Sequence, residues 1–345
     1  MRILLVTNDY PPKPGGIQQY LGNTVAALDA EVRILGPAET GAADDGVLRD
    51  RRRFMWPTRR VRRWVIEHVE DFEPDVVLYG APYPLPTMGP AVRRATGVPY
   101  GVVCYGAEIT LPAAIPIARS LLRHPLRRAD ALFAISHFTQ RKVERLTGRE
   151  VVYIGAGIEV DVFTPADEPP GGTPVVGCIS RFVPRKGQAR VIRAVAALRR
   201  DGLDVDLLLV GKGRLEGRLR RLAASLDVPV RFEVDVPWSA LPDLYRELSV
   251  FVMPVRSRWL GLEVEGLGLV FLEAASAGVP VLAGDSGGSP ETVEPGVTGY
   301  VVRRDEDIVA GLRRLLDDPD RARAMGAQGR RRVVESFTWK ATADR

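Results

Sequence analysis

Short unbroken runs of Val, Ile and Leu recur along the whole chain, and they restrict its fold more than any other feature. In the first half they are Ile3 to Val6, Val32 to Leu35, Val76 to Tyr79, Val102 to Tyr105, Ala131 to Ile135 and Val151 to Ile154. The second half repeats the scheme with Val175 to Ile179, Val205 to Val210, Val230 to Val234, Val250 to Met253, Val279 to Ala283 and Gly299 to Val302. The runs lack polar alternation and most are separated by helix-length segments, such as that carrying Val191, Ile192, Val195 and Leu198. That is the pattern of parallel strands covered on both faces. The chain therefore reads as two doubly wound α/β domains in tandem, which suits its 345 residues. A cluster of breakers, Phe163 to Pro174, places the linker, giving domains 1–165 and 166–345. Such domains bind ligands at the carboxyl ends of their strands, so the active site is expected in a cleft between them.

Composition narrows the function. With 46% hydrophobic and 26% charged residues the chain is an ordinary globular protein. A net charge of +5, carried mostly by Arg, does not by itself imply nucleic acid. Two cysteines, Cys104 and Cys178, lie within apolar runs; they exclude a disulfide framework or zinc site and read as reduced buried thiols in a cytoplasmic protein. The apolar run after Met1 is too short for an export signal, and prolines break the longest charge-free stretch, Val76 to Val92, so no spanning helix is expected. His68, His124 and His137 lack a second His at ligand spacing, and no metal is expected. Asp204 with Asp206, and Asp305 with Asp307, read as surface carboxylates. Gly211-Lys212-Gly213 lacks phosphate-loop spacing and reads as a turn lining a crevice.

Three segments at strand exits carry candidate chemistry. After the first strand, Gly15 and Gly16 allow a sharp turn into a helix whose free amides suit an anion, although a plain loop fits as well. After Ile179, Arg181 and Lys186 are placed to meet phosphates, with Gly187 opening the next helix. The most informative segment runs from Glu265 to Glu273. Glu265 would precede a helix beside an anion site formed by the backbone of Gly268, Leu269 and Val270, with Glu273 inside that helix.

The Glu265 to Glu273 segment resembles the paired-glutamate motif of the retaining nucleotide-sugar glycosyltransferases of family 4, which have two Rossmann-like domains in the GT-B arrangement. The likeness extends to Gly155 to Pro165 and to Leu315 to Gly329 with Phe337 and Trp339, and it implies that the last helix packs back on the first domain. Leu4 to Pro12, Ser180 to Gln188 and Val264 to Glu273 are similar to segments of bacterial phosphatidylinositol mannosyltransferases, which use GDP-mannose. The resemblance implies that Arg181 and Lys186 neutralise the donor diphosphate in place of a metal, that Glu273 holds the ribose hydroxyls and that Glu265 holds those of the sugar. It further assigns Gly16 to the diphosphate, and Tyr10, Gly15 and Gln18 to the acceptor. Where relatives carry His-Gly-His-Glu, this chain has Tyr105-Gly106-Ala107-Glu108, so Tyr105 would position the sugar without acting as a switchable acid. The implied reaction takes a sugar, mannose from GDP-mannose first, to a lipid-linked or inositol-containing acceptor. A UDP-sugar with a soluble acceptor, and a non-catalytic nucleotide-sugar-binding protein, are the alternatives.

One charge run stands apart. Arg49, Arg51, Arg52, Arg53, Arg59, Arg60, Arg62 and Arg63 face a single acid, Asp50, with Phe54, Met55, Trp56 and Trp64 interleaved. The run reads equally as a solvated face or as a patch for anionic lipid, which would put the protein at the inner face of the cell membrane.

Overall fold

The computed structural model describes residues 1–13, 15–39, 46–168 and 171–345. Pro14 of the first turn and Pro169 and Pro170 of the breaker cluster lie outside the described residues. The chain forms two compact units, one of Met1–Gly157 with Trp339–Arg345, the other of Ile158–Thr338.

In chain order the first unit contains β1 (Arg2–Val6), α1 (Gly16–Ala27), β2 (Glu31–Gly36), β3 (Val47–Arg49), α2 (Arg59–Phe72), β4 (Val76–Tyr79), α3 (Gly89–Thr96), β5 (Tyr100–Cys104), α4 (Ala107–Ala113), α5 (Pro116–Arg128), β6 (Ala131–Ala134), α6 (His137–Thr147) and β7 (Val152–Tyr153). The strands make one parallel sheet in the order β3-β2-β1-β4-β5-β6-β7. The second unit contains β8 (Val175–Ile179), α7 (Gln188–Arg200), β9 (Asp206–Val210), α8 (Glu216–Ser225), β10 (Val230–Glu233), α9 (Leu241–Arg246), β11 (Val250–Met253), α10 (Leu269–Ser276), β12 (Val281–Gly284), β13 (Gly299–Val302), α11 (Asp305–Leu316) and α12 (Pro319–Ser336). Its parallel sheet runs β10-β9-β8-β11-β12-β13. α13 (Trp339–Asp344) belongs to the first unit, packing on α1 with Trp339 edge-on to Tyr20 at 5.5 Å between ring centres.

All twelve apolar runs are strands. Their unbroken hydrophobicity has the expected cause: Leu4, Leu5, Val6, Val250, Phe251 and Val252 are fully buried between helices. Each such side chain contributes about 1.5–3 kcal/mol by leaving water. β3 is the strand that the pattern does not announce. It is a three-residue edge strand with no fully buried side chain, so burial left no hydrophobic run to read. Local signals fix the helix starts: the Thr58 hydroxyl accepts from the Val61 amide before α2, and the Ser136 hydroxyl accepts from that of Thr139 before α6.

The units part at Gly157–Ile158, ahead of the breaker cluster. Phe163 is fully buried in the second unit, where its carbonyl accepts from the Ser276 hydroxyl at 2.7 Å and from Arg330 at 2.9 Å. Breakers mark where regular structure stops; the buried Phe163 decides which unit owns the segment. Among the described residues no helix is long and apolar enough to cross a membrane. Both cysteines are free and buried in β5 and β8.

Candidate active site

In the second unit, β8 leaves its sheet into a short helical turn, Pro184–Lys186, ended by Gly187. That turn aims two neighbouring cations at one carboxylate. Lys186 Nζ donates to Glu265 Oε2 at 2.8 Å, Arg185 donates to the same oxygen, and Arg185 also lies 3.7 Å from Glu263. Burial would raise the Glu265 carboxyl, but Lys186 and Arg185 beside it hold it below the ordinary carboxylate range. The Lys186 ammonium is drawn below its usual range by burial.

The Glu265 backbone is fixed as firmly. Its amide donates to the Ser286 hydroxyl at 3.2 Å, and its carbonyl accepts from the Gly288 amide at 3.0 Å. Gly287, at φ +60°, passes so close that a Cβ there would stand 1.9 Å from the Glu265 carbonyl oxygen. Gly268 then caps α10 at φ +93°, leaving the first-turn amides of Leu269 and Val270 without helical partners, as every helix start does. Glu273, one turn on, accepts from Tyr245 Oη at 2.7 Å. Burial pushes its carboxyl up to about 7.

Arg181 is exposed and has no side-chain partner among the described residues. The arginine that reaches Glu265 is Arg185, which the sequence reading passed over. Adjacent cations look alike in one dimension, and only the turn's direction separates them. Tyr245 and Ser286 were also passed over; a tyrosine before a strand and a serine after one carry no motif of their own.

In the first unit, Gly15 caps α1 without a side-chain bond, and among the described residues nothing stands within 4 Å of where a Cβ on Gly16 would be. Gln18 is buried, donating to Asp9 at 2.6 Å, and Lys13 donates to the same carboxylate at 3.1 Å. Tyr10 is half-buried. Tyr105 is buried edge-on to Tyr20, 5.4 Å between ring centres, and its hydroxyl has no partner among the described residues. Burial lifts that phenol well above its usual range, so it stays protonated at any physiological pH. Glu108 accepts from the Tyr105 and Gly106 amides, and burial raises its carboxyl. Of the two Asp-x-Asp pairs, Asp204 meets Arg199 at 3.2 Å and Asp305 meets Arg190. Lys212 meets Asp235 at 2.8 Å. Among the described residues no three His, Cys, Asp or Glu side chains gather as a metal site requires.

Residues 14–162 match the model of "Glycosyltransferase Family 4", and residues 162–332 that of "Glycosyl transferases group 1". A GDP-mannose-dependent monoacylated alpha-(1-6)-phosphatidylinositol monomannoside mannosyltransferase of Corynebacterium glutamicum is 36% identical over 100% of this chain and 96% of its own. The GDP-mannose-dependent alpha-(1-6)-phosphatidylinositol monomannoside mannosyltransferase of Mycolicibacterium smegmatis is 39% identical over 98% and 95%.

The chain belongs to glycosyltransferase family 4. Solved structures agree on its architecture, two parallel α/β sheets as in GT-B enzymes. A sucrose-phosphate synthase from Thermosynechococcus elongatus matches with TM-score 0.80 at 21% identity, over 99% of this chain and 96% of that one. Anabaena HepE in complex with UDP matches with TM-score 0.82 at 19% identity, over 100% and 98%. As a family 4 glycosyltransferase, the protein has its cationic constellation, its paired glutamates and the open start of α10 within one unit.

Proposed function

We propose that this glycosyltransferase moves mannose from GDP-mannose, with retention, onto a phosphatidylinositol-mannoside-like or other lipid-linked acceptor. The observation that carries the reading is its full-length likeness to GDP-mannose-dependent mannosyltransferases. The charge arrangement supports it: Lys186 and Arg181 would take the donor diphosphate together with the amides of Gly268, Leu269 and Val270. Glu265, held ionised, would accept from the sugar's hydroxyls and Glu273 from those of the ribose. In the first unit Gly16 would meet the diphosphate, Tyr10, Gly15 and Gln18 the acceptor head, and Tyr105 the transferred sugar. No carboxylate is assigned as nucleophile. The bond from the anomeric carbon to the diphosphate oxygen breaks, the acceptor oxygen bonds that carbon from the same face, and the acceptor's proton passes to the departing oxygen. Lys186 and Arg181 stabilise the negative charge left on the nucleotide.

The basic run is the place proposed to meet the acceptor's anionic membrane. Thr58 starts α2 there, Phe54 and Trp56 are exposed, and Arg59 and Arg63 point to solvent. Arg60 is committed elsewhere, bonding the buried Asp50 at 2.6 Å. Vesicle binding should therefore need anionic lipid, fall with salt, and drop when Arg59, Arg62 and Arg63 become Gln; equal binding to neutral vesicles would remove this patch from the reading. The reaction itself is tested by radiolabel transfer from GDP-mannose, UDP-glucose and ADP-glucose to phosphatidylinositol monomannoside dispersed in detergent. Transfer from GDP-mannose alone is expected. Transfer from another donor, or to none, would overturn the assignment.

A further inference from the structure

Helix α5 breaks the rule that a crossover helix shows water its polar side. Leu122, Pro125 and Leu126 face the core. On the opposite side Ile117 is 76% exposed and Leu121 53%, with Ile115 before the helix at 53%. Arg119, Arg123 and Arg127, each four residues apart, form a second exposed row. At about 100° per residue the two rows flank the solvent side, one apolar and one cationic.

The cations are unusual in being unspent. No acid occurs between Glu108 and Asp130. Arg119, Arg123 and Arg127 have no side-chain partner among the described residues, in contrast to Arg60, which is committed to Asp50. The cationic row continues into a groove of about 630 Å³ that is lined by Arg93, Arg94, Arg127, Arg128 and Arg149 around the lone Asp130. Arg93 is paired to Asp130 at 2.8 Å, Arg149 caps the end of α5 by donating to the Arg127 and Ala129 carbonyls, and Arg128 bonds His124. Arg94, like Arg127, has no side-chain partner among the described residues. Like charges gathered around a single acid repel one another, and two exposed aliphatic side chains add an unfavourable contact with water. One surface relieves both, an anionic bilayer with phosphates outside and acyl chains beneath. The helix has no Phe, Tyr or Trp on which bases could stack, and its one imidazole, His124, is bonded to Arg128, which disfavours single-stranded nucleic acid. α5 also lies in the same helical layer as α2, in contact through α3, so the two basic regions share one side of the sheet.

We propose that α5 is an interfacial helix that seats the protein on anionic membranes, with Ile117 and Leu121 entering the headgroup boundary and Arg119, Arg123, Arg127 and Arg94 holding lipid phosphates. The inference rests on the reading that the acceptor is carried in a bilayer. Because Cys104 and Cys178 are buried, a cysteine introduced at Ile117 or Leu121 can be labelled selectively with an environment-sensitive fluorophore such as NBD. With vesicles containing phosphatidylglycerol, emission at both positions should rise several-fold and shift to the blue, while a label at Ser225→Cys on α8 stays unchanged. Pure phosphatidylcholine should give no response. Changing Arg119, Arg123 and Arg127 together to Gln should weaken vesicle partition on the order of 100-fold, roughly five-fold per charge. The pair Ile117→Glu and Leu121→Glu should lower it in the same direction. Both variants should transfer sugar normally to acceptor in detergent and poorly to acceptor in vesicles. A vesicle-bound protein whose label at Ile117 still reports water, or a triple variant that partitions within two-fold of wild type, would overturn the proposal. So would a label response without vesicles, which would assign the face to a second copy. Failure of transfer in detergent would instead overturn the mannosyl reading and leave the label result standing.

Discussion

The two units of this glycosyltransferase share one plan and place different charges at corresponding strand ends. Beyond β8, two cations converge on a single carboxylate, Glu265, while Arg181 at the same strand exit is exposed and has no side-chain partner among the described residues. Beyond β1 and β5, carboxylates dominate: Asp9 holds Gln18 and Lys13, and Glu108 sits among backbone amides. A Rossmann-like fold thus fixes where ligands come and leaves the chemistry to a few side chains. On the proposed reading, the cationic end would take the diphosphate and the end rich in carboxylate and amide the hydroxyl-bearing acceptor.

That contrast predicts unequal costs. Glu265→Ala leaves the buried Lys186 without its counterion and Arg185 with Glu263 alone, and should destabilise the second unit by about 3–5 kcal/mol. Asp9→Ala removes a partly exposed acceptor and should cost about 1 kcal/mol. Urea unfolding compares them, and equal losses would break the contrast. The cations themselves should separate by role. Lys186→Ala and Arg181→Ala should each weaken nucleoside diphosphate binding by about 1.5–3 kcal/mol and nucleoside binding far less, by titration calorimetry. Only Lys186→Ala should also lower the melting temperature, since the Arg181 side chain has no partner among the described residues. Equal losses for diphosphate and nucleoside would show that these residues support the fold instead.

Glu273 gives the comparison a pH axis. With its carboxyl pushed up to about 7, half of it is protonated at that pH, and on the proposed reading the ribose hydroxyls would bond the carboxylate, which accepts at both oxygens, more strongly than the acid, which spends one oxygen as a donor. Donor kcat/KM should rise through about pH 7 and level off above it, and Glu273→Gln should abolish that limb. Stability runs the other way. The folded protein binds this proton more tightly than the unfolded chain, whose carboxyl titrates near 4.5, so the group's contribution is full below 4.5 and lost as pH rises through about 7. The melting temperature of Glu273→Gln relative to wild type should accordingly be more favourable at pH 8 than at pH 5. The smallest effect is expected in the first unit. Tyr105→Phe deletes a buried hydroxyl that has no partner among the described residues, so stability should hold or rise by up to about 1 kcal/mol while turnover slows several-fold. Its pH profile should keep the Glu273 limb and show none of its own.

Much of this was legible without coordinates. Unbroken apolar runs are what a twice-covered parallel strand must look like, so the two sheets follow from hydrophobic burial alone, save the solvent-edged β3. Gly268 and the spacing of Glu265 and Glu273 likewise announce a loop, a helix start and a carboxylate within the helix. Three assignments needed the folded chain. Arg185 and Arg181 differ only in which way one turn faces, Tyr245 finds Glu273 from another helix, and Phe163 joins the second unit by burial across many intervening residues. In each case the deciding interaction is between groups distant in sequence, and its strength depends on a few tenths of an ångström and on water being excluded. Composition and periodicity record what each segment must bury; only tertiary packing determines which buried group meets which.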